Sequence, residues 1–193
     1  IIYAPEAGKV VERIYGLIYH ADPDRPDDED KQFNSVAEYH TLLKEKGLWK
    51  DNAPAVIITG SMGEPKELIA ELEKTGNMVY PVNSVQKFVE NQHADSVNVS
   101  AIINMAHGRL GDEMVDWLRE HNVTMLAPLT VNRLVEDWEN DPMGMSGGFM
   151  SQSVTMPEID GAIRTTALFA QYEDKDGYRH SFAAPASLET CAS

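Results

Sequence analysis

The sequence is short of several residue types, and each shortage narrows the possible functions. It contains one cysteine, Cys191, among 193 residues. An internal disulfide framework and a cysteine-based zinc site are therefore excluded, and a reducing compartment, the cytoplasm, is favoured. Basic residues are also few, 16 against 31 acidic ones, which gives a formal net charge of −15. Because phosphate groups are bound through lysine and arginine, nucleic acids and anionic membranes are poor partner candidates.

Long apolar runs and nucleotide-binding signatures are missing as well. No apolar run approaches the length of a membrane span, and no secretory signal is visible. No stretch matches a Walker phosphate-binding motif, and the six histidines show no paired metal-ligand spacing. The chain begins at Ile1 without an initiating methionine and stops at Ser193 without a closing element. We therefore expect it to be a portion of a longer protein.

From Ala53 onward, short apolar runs alternate with helical patterns. The expected elements are strand 55–59, helix 65–74, strand 78–82, helix 85–91, strand 100–105, helix 111–121, strand 123–129 and helix 132–139. Residues 162–169 and 178–182 then predict a hairpin. The alternation predicts an α/β fold with an open, mostly parallel sheet and helices on both faces, flavodoxin-like or Rossmann-like, with a C-terminal β-hairpin.

The first fifty residues have a different character. Residues 6–19 are compatible with a helix or a strand, and residues 21–30 form an acidic run broken by prolines, typical of a solvated loop. Ser35 to Glu38 is a capping box that predicts a helix running to about Lys46, with Gly47 as its stop. The sequence thus predicts an N-terminal segment, residues 1–50, packed on an α/β domain of residues 51–193.

Several turns with chemically useful side chains follow the predicted parallel strands. Ligands of open α/β sheets bind outside the carboxyl ends of the strands, so these turns are expected to meet in one crevice. Gly60 to Gly63 has the form of an anion site at a helix N-terminus, although a plain turn is the stronger interpretation. His107 to Arg109 offers an imidazole and a guanidinium, which can ligate a metal or hold a carboxylate. A surface turn is the alternative here too.

The most unusual segment is Met143 to Gly161, which is rich in glycine and methionine and ends in Pro-Glu-Ile-Asp-Gly. We interpret it as a loop with a function, because ordering glycines is costly in entropy. In an extended segment Glu158 and Asp160 would point to the same side, so that both carboxylates face one ligand. Such a pair can share protons or pass on a metal ion. A strand-entry turn with solvated acids explains the local chemistry equally well.

An ordered set of these elements resembles the large, porphyrin-binding subunits of metal chelatases, the CobN-type cobaltochelatase subunit and the magnesium chelatase H subunit. Pro157 to Gly161 is similar to the Pro-Glu-Leu-Asp-Gly of that family. The other similar elements are residues 16–22, 36–39, 76–82, 95 with 102–104, 123–128 and 136–138. Two departures, Ala21 in place of a proline and Thr59 to Met62 in place of a turn with a basic residue, favour a haem-uptake-associated CobN-like member of the HmuS type.

The resemblance implies a segment of a tetrapyrrole-binding subunit that inserts or removes cobalt, magnesium or haem iron in a porphyrin or corrin ring. Glu158 would accept pyrrole protons or pass on the divalent metal ion, with Asp160 or His107 assisting, while the residues that hold the metal stay unassigned. Contacts to the ring and its propionates would come from His20, Ser61, Arg109, Trp138, Met145, Gly147, Met150 and Arg164. ATP would be hydrolysed only by separate AAA+ partner subunits, and further partners would be a second chelatase subunit and the rest of the same large chain.

Two functions of other classes also fit the sequence. One is a tetrapyrrole carrier or sensor that performs no chemistry. The other is a flavodoxin-like domain that binds FMN, which the glycines at strand ends would permit. The acidic charge and the lack of a serine or threonine run to cradle a phosphate make the FMN function the weaker of the two.

Overall fold

The computed structural model describes residues 18–20, 31–60 and 65–183, which form one eight-stranded sheet with helices packed against it. The order of the strands across the sheet is β2-β1-β4-β3-β5-β6-β7-β8. In chain order they are β1 (Ile18–His20), β2 (Lys31–Phe33), β3 (Ala55–Thr59), β4 (Met78–Val82), β5 (Val99–Asn104), β6 (Thr124–Leu134), β7 (Ile163–Glu173) and β8 (Arg179–Ala183).

Five neighbouring strands of this sheet, β4-β3-β5-β6-β7, are parallel. The strands at the two edges are antiparallel: β1 pairs with β4 and β2, and β8 forms a hairpin with β7. Numbered along the chain, the parallel strands have the order 2-1-3-4-5, which is the order of flavodoxin-like sheets. The predicted α/β fold with a mostly parallel sheet and a C-terminal hairpin is confirmed.

Helices connect the parallel strands, and several begin at a side-chain cap. Ser35 Oγ accepts a hydrogen bond of 3.2 Å from the backbone N–H of Glu38, and the Glu38 carboxylate accepts one from Asn34 N–H. The predicted Ser35 cap is therefore present at the first helix of the described chain, and Glu38 closes the capping box at Asn34, one residue before the cap. The helices are α1 (Val36–Glu45), α2 (Lys66–Lys74), α3 (Val85–Glu90), a 3₁₀ turn (His93–Ser96), α4 (Asp112–His121), α5 (Val135–Glu139), α6 (Gly147–Met150), a π-helical turn (Ser151–Thr155) and α7 (Met156–Ile159).

The parallel strands are apolar on both faces because helices cover both faces. Ile57 and Ile102 lie in one core together with side chains of α1, α3 and α4. Ile58 and Ile103, the next residue of each strand, lie in a second core on the other face with α2. Each of these isoleucines is almost completely buried, which stabilises the fold by about 1.5–3 kcal/mol per side chain. Consecutive strand residues thus serve opposite faces, as the unbroken apolar runs predicted.

The chain differs from the sequence prediction after residue 129. β6 continues to Leu134, so the helix expected over residues 132–139 begins only at Val135. This is because β6 and β7 pair with each other beyond the edge of the other strands, as far as Leu134 and Gln171. Residues 147–159, expected as loop, form three short consecutive helical turns. Ser146 caps the first and Pro157 occupies the first turn of the last.

The described part of the first fifty residues belongs to the same sheet and core. β1 and β2 extend the sheet beyond β4, and Tyr39 and Leu43 of α1 are buried in the first core. Residues 6–17 of the ambiguous stretch 6–19 lie outside the described residues, as does the acidic run 21–30, whereas residues 18 and 19 belong to β1. The domain boundary at residue 50 stays a prediction. No helix in the described ranges has the length and apolar character needed to cross a membrane.

Candidate functional site

The carboxyl ends of β3 and β5 lie at the same level of the sheet as the start of β7. Thr59 of β3 is in register with Asn104 of β5. Asn104 and Ala127 are the next residues after the last pair between β5 and β6. Ala127 pairs in turn with Arg164 of β7. Arg164 therefore lies at the edge formed by the carboxyl ends of β3 and β5, where ligands of open α/β sheets generally bind, although it is the second residue of its strand.

These four residues also share one face, and we name them the edge row: Thr59, Asn104, Ala127 and Arg164. Ala127 lies in the core that contains α1, α3 and α4. Thr59 and Asn104 each follow by two positions a strand residue of that same core, and strand side chains alternate between faces. Arg164 has the orientation of Ala127 because paired residues of parallel strands point to the same face. The edge row is thus a line of side chains across the sheet.

Two members of the edge row carry hydrogen-bond donors without a partner in the described part of the chain. These atoms are Nδ2 of Asn104 and both Nε and Nη2 of Arg164, and all three are buried. The Asn104 side chain is otherwise engaged, because its Oδ1 accepts a hydrogen bond of 3.0 Å from the N–H of Ala106. Burial lowers the pKa of the Arg164 guanidinium, and the nearby carboxylate of Glu158 opposes that shift. The edge row is therefore rich in free donors.

β3 and β5 approach each other closely just beyond the edge row. Gly60 has a φ of +70°, and a Cβ on it would lie 2.4 Å from the backbone nitrogen of Ala106. The N–H of Met105 donates a hydrogen bond of 2.9 Å to the carbonyl of Thr59. In flavodoxin-like sheets the ligand sits where these two strands diverge. Here Gly60 and Ala106 meet at that point. The rest of the predicted turn, including the candidate residue Ser61, lies outside the described residues.

The two segments singled out from the sequence, His107 to Arg109 and Met143 to Gly161, are in direct contact. His107 Nδ1 and Ser153 Oγ share a hydrogen bond of 2.9 Å, and the N–H of Gly108 donates one of 2.9 Å to the carbonyl of Gln152. Gln152 and Ser153 both belong to the π-helical turn, a structure that occurs frequently at functional sites. The expected meeting of strand-end turns is therefore seen for this pair.

Asp160 fixes the same turn from the other side. Its carboxylate is 1% exposed and accepts hydrogen bonds from Arg109 Nε, at 2.7 Å, and from the N–H of Leu110. Hydrogen bonds from Arg109 to Asp160 and to Asp112 raise the pKa of the guanidinium. The expectation that Glu158 and Asp160 point to the same side is wrong, because residues 156–159 are helical and not extended. Glu158 is exposed and Asp160 is buried.

Replacing Asp160 by alanine should lower the free energy of unfolding. A buried, charged acceptor is removed and the N–H of Leu110 loses its partner, so we expect a loss of about 1.5–3 kcal/mol in denaturant unfolding. Asp112→Ala is the matched control, since Asp112 is 87% exposed and also pairs with Arg109. Its effect should be much smaller. Equal stability losses in the two variants would show that Asp160 does not hold the turn.

An apolar pocket of about 250 Å³ lies beyond the edge row, between the projecting end of β6 and the turns after it. It contains two of the predicted ring-binding residues, Trp138 and Met145. It also contains Phe149, which the sequence prediction missed and whose ring centroid lies 5.9 Å from that of His107. Phe149 thus lines the pocket and also contacts the turn formed by His107 to Arg109, which we call the His107 turn. The residues lining the pocket are Val131, Arg133, Trp138, Gly144, Met145, Ser146 and Phe149.

The remaining candidate residues are placed as follows. Gly147 and Met150 are exposed on α6, next to the pocket. His20 is the last residue of β1, near the sheet edge formed by β2, and only its backbone is described. The four methionines expected to face a ring are divided, since Met143 and Met150 are exposed whereas Met145 and Met156 are half-buried. Within residues 18–20, 31–60 and 65–183, no three His, Cys, Asp or Glu side chains are grouped so as to hold a metal ion.

Comparison with known proteins agrees with this architecture. Residues 3–193 match the family model described as CobN/Magnesium Chelatase. Among solved structures, the catalytic subunit of cobaltochelatase from Mycobacterium tuberculosis has a similar fold, with a TM-score of 0.53 and 19% sequence identity. The match covers 73% of this chain and 14% of that chain. No curated protein matches the sequence. Since the family model extends over nearly the whole sequence, the chain belongs to the CobN/magnesium chelatase family.

Proposed function

We propose that this chain is the segment of a metal chelatase large subunit that holds a tetrapyrrole at the carboxyl edge of its sheet. The observation that carries the proposal is the contact between the apolar pocket and the His107 turn through Phe149. An apolar, aromatic-lined pocket beside a few convergent polar groups is the usual form of a small-molecule site. Membership of the chelatase family supports a porphyrin or corrin as the molecule bound.

The pocket suits one edge of a flat macrocycle. At about 250 Å³ it is smaller than the space a whole ring needs, so the ring would extend out of it. Gly147 and Met150, both exposed on α6, lie where the remainder of the ring would rest. A methionine side chain is flexible and polarisable, and a glycine permits close approach to the backbone. Trp138 and Met145 would pack against the inserted edge.

Glu158 is the proposed proton-handling group. Insertion of a divalent metal ion releases two pyrrole protons, and removal of the metal returns two protons to the ring. Glu158 is exposed on α7, in the same segment as the pocket, and its carboxylate can accept or return a proton. His107 would assist through Nε2, because Nδ1 is engaged with Ser153. Asp160 would act indirectly by holding the turn that carries His107.

The proposal includes the metal ion as substrate and ATP hydrolysis by separate AAA+ subunits. The metal would be cobalt, magnesium or haem iron, in a cytoplasmic enzyme that also requires a second chelatase subunit and the rest of the large chain. The departures at Ala21 and at Thr59 to Met62 favour the haem-uptake-associated type, in which iron would be removed.

An absorbance titration of the full-length protein tests the proposal. Protoporphyrin and haem should each give a shifted Soret band, whereas FMN should give no spectral change. Trp138→Ala should weaken ring binding by about tenfold, because an aromatic wall of the pocket is lost. Trp117→Ala is the control, since Trp117 stacks on His121 in α4, outside the pocket. Saturable FMN binding without a Soret shift would replace the proposal, and ring binding without metal exchange would identify a carrier.

A further inference from the structure

Three buried donors of the edge row lack acceptors in the described part of the chain. They are Nδ2 of Asn104 and the Nε and Nη2 atoms of Arg164. Buried polar groups in folded proteins are nearly always hydrogen-bonded, and an orphaned donor carries the cost of its lost hydration. Two such side chains on one face, at one level of one sheet, therefore indicate a shared partner. All three atoms are donors, so that partner must supply acceptors.

The identity of the free atoms indicates the chemical class of the partner. Nε and Nη2 form one side of the guanidinium, where two parallel N–H groups match the two oxygens of a carboxylate. Neighbouring strands lie about 4.8 Å apart, and only β6 separates Asn104 from Arg164. The residue of β6 between them is Ala127, whose side chain is only a methyl group. A carboxylate placed over Ala127 would meet the guanidinium side-on and accept a further hydrogen bond from Asn104.

The acidic groups placed near the edge row do not fill this role. Glu158 is close enough to affect the pKa of Arg164, yet it accepts no hydrogen bond from Nε or Nη2 of that guanidinium. Asp160 is buried, and its carboxylate bonds to Arg109 and Leu110. Within the described ranges, neither acidic residue supplies an acceptor to Nε or Nη2 of Arg164, which leaves these two donors available to a bound molecule.

We propose that Asn104 and Arg164 bind a carboxylate side arm of the tetrapyrrole, an inference that rests on the function proposed above. Arg164 was expected from the sequence to lie near the propionates, and Asn104 is a new member of the site. Asn104 precedes His107 by three residues, and Arg164 follows Glu158 by six. A side arm held by this pair would therefore fix the ring relative to both proton-handling groups.

The test compares protoporphyrin, which has two free carboxylates, with its dimethyl ester, which has none. Both are titrated into the full-length protein and its Arg164→Gln, Arg164→Lys and Asn104→Leu variants. Arg164→Gln should weaken binding of the free acid by about tenfold or more and leave binding of the ester unchanged. Arg164→Lys keeps the charge without the paired donors, so it should restore only part of the affinity. Asn104→Leu should give a smaller loss, again for the acid alone.

Arg119→Gln is the control for loss of one positive charge. Arg119 is 73% exposed, pairs with Asp116 and lies in the last turn of α4. Its variant should bind both compounds as the wild type does. If the wild type binds acid and ester equally, or if Arg164→Gln keeps full affinity for the acid, the carboxylate site is wrong and the proposed function stands. If neither compound binds to the wild type, both proposals fail.

Discussion

Replacing Glu158 by glutamine is expected to slow metal exchange by at least about 100-fold while tetrapyrrole affinity changes little. Glutamine preserves the size and hydrogen-bonding shape of the side chain but cannot accept a proton at neutral pH. Glu158 is exposed, so the substitution disturbs no buried contact and should leave the fold intact. The rate is measured from the change in the absorbance spectrum as metal enters protoporphyrin with the partner subunits present, or as iron leaves haem.

Glu139→Gln provides the matched comparison for this result. Glu139 is exposed at the end of α5, near the pocket but in a different helical turn, and carries the same charge. Its variant should exchange metal at the wild-type rate. Normal metal exchange by the Glu158 variant would remove Glu158 from the mechanism. A parallel loss of ring binding would instead assign Glu158 to substrate binding.

Replacing Gly60 by alanine is expected to produce the largest loss of stability, about 3–5 kcal/mol. Two costs combine. A residue with a side chain is strained at a φ of +70°, and its Cβ would lie 2.4–2.7 Å from three atoms of Ala106. The backbone of β3 or of the turn after β5 must then shift. Because that turn continues into His107, the variant should lose metal exchange even under conditions in which it stays folded.

The Gly76→Ala variant separates the cost of backbone strain from the cost of steric overlap with Ala106. Gly76 also has a positive φ, +101°, but a Cβ there would have no atom within 4 Å. Its substitution should cost only the backbone strain, about 1–2 kcal/mol. Denaturant unfolding of both variants measures the difference, which reports the contact with Ala106. Equal losses at the two glycines would show that β3 and the turn after β5 are less close than the structure has them.

The sequence was sufficient to predict the parallel sheet, because local patterns carry that information. The run from Ala55 to Thr59 is buried throughout, and its unbroken apolar character indicates a strand covered on both faces. The capping box at Ser35 was equally readable, since its hydrogen bonds join residues three and four positions apart. Elements defined by neighbours in sequence were thus predicted well.

The features missed by sequence reasoning depend on distant pairing. Asn104 looks like an ordinary end of a strand until the register places it at the level of Arg164, sixty residues later in the chain. The extension of β6 to Leu134 similarly requires β7 as its partner. The segment Met143 to Gly161 was identified as important, but its helical turns were not predicted, because glycine content alone favoured a loop. Local propensity cannot determine such non-local choices.

The projecting pair of β6 and β7 has a mechanical consequence for the proposed site. Its outer part carries Val131 and Arg133 of the pocket, whereas its root carries Ala127 and Arg164 of the edge row. A ring that contacts both the pocket and the edge row would therefore lie along the ribbon formed by β6 and β7. Narrow ribbons twist more strongly than wide sheets, and an isolated pair of strands is only marginally stable, so we expect the distance between the two contact regions to adapt to a flat or a puckered macrocycle.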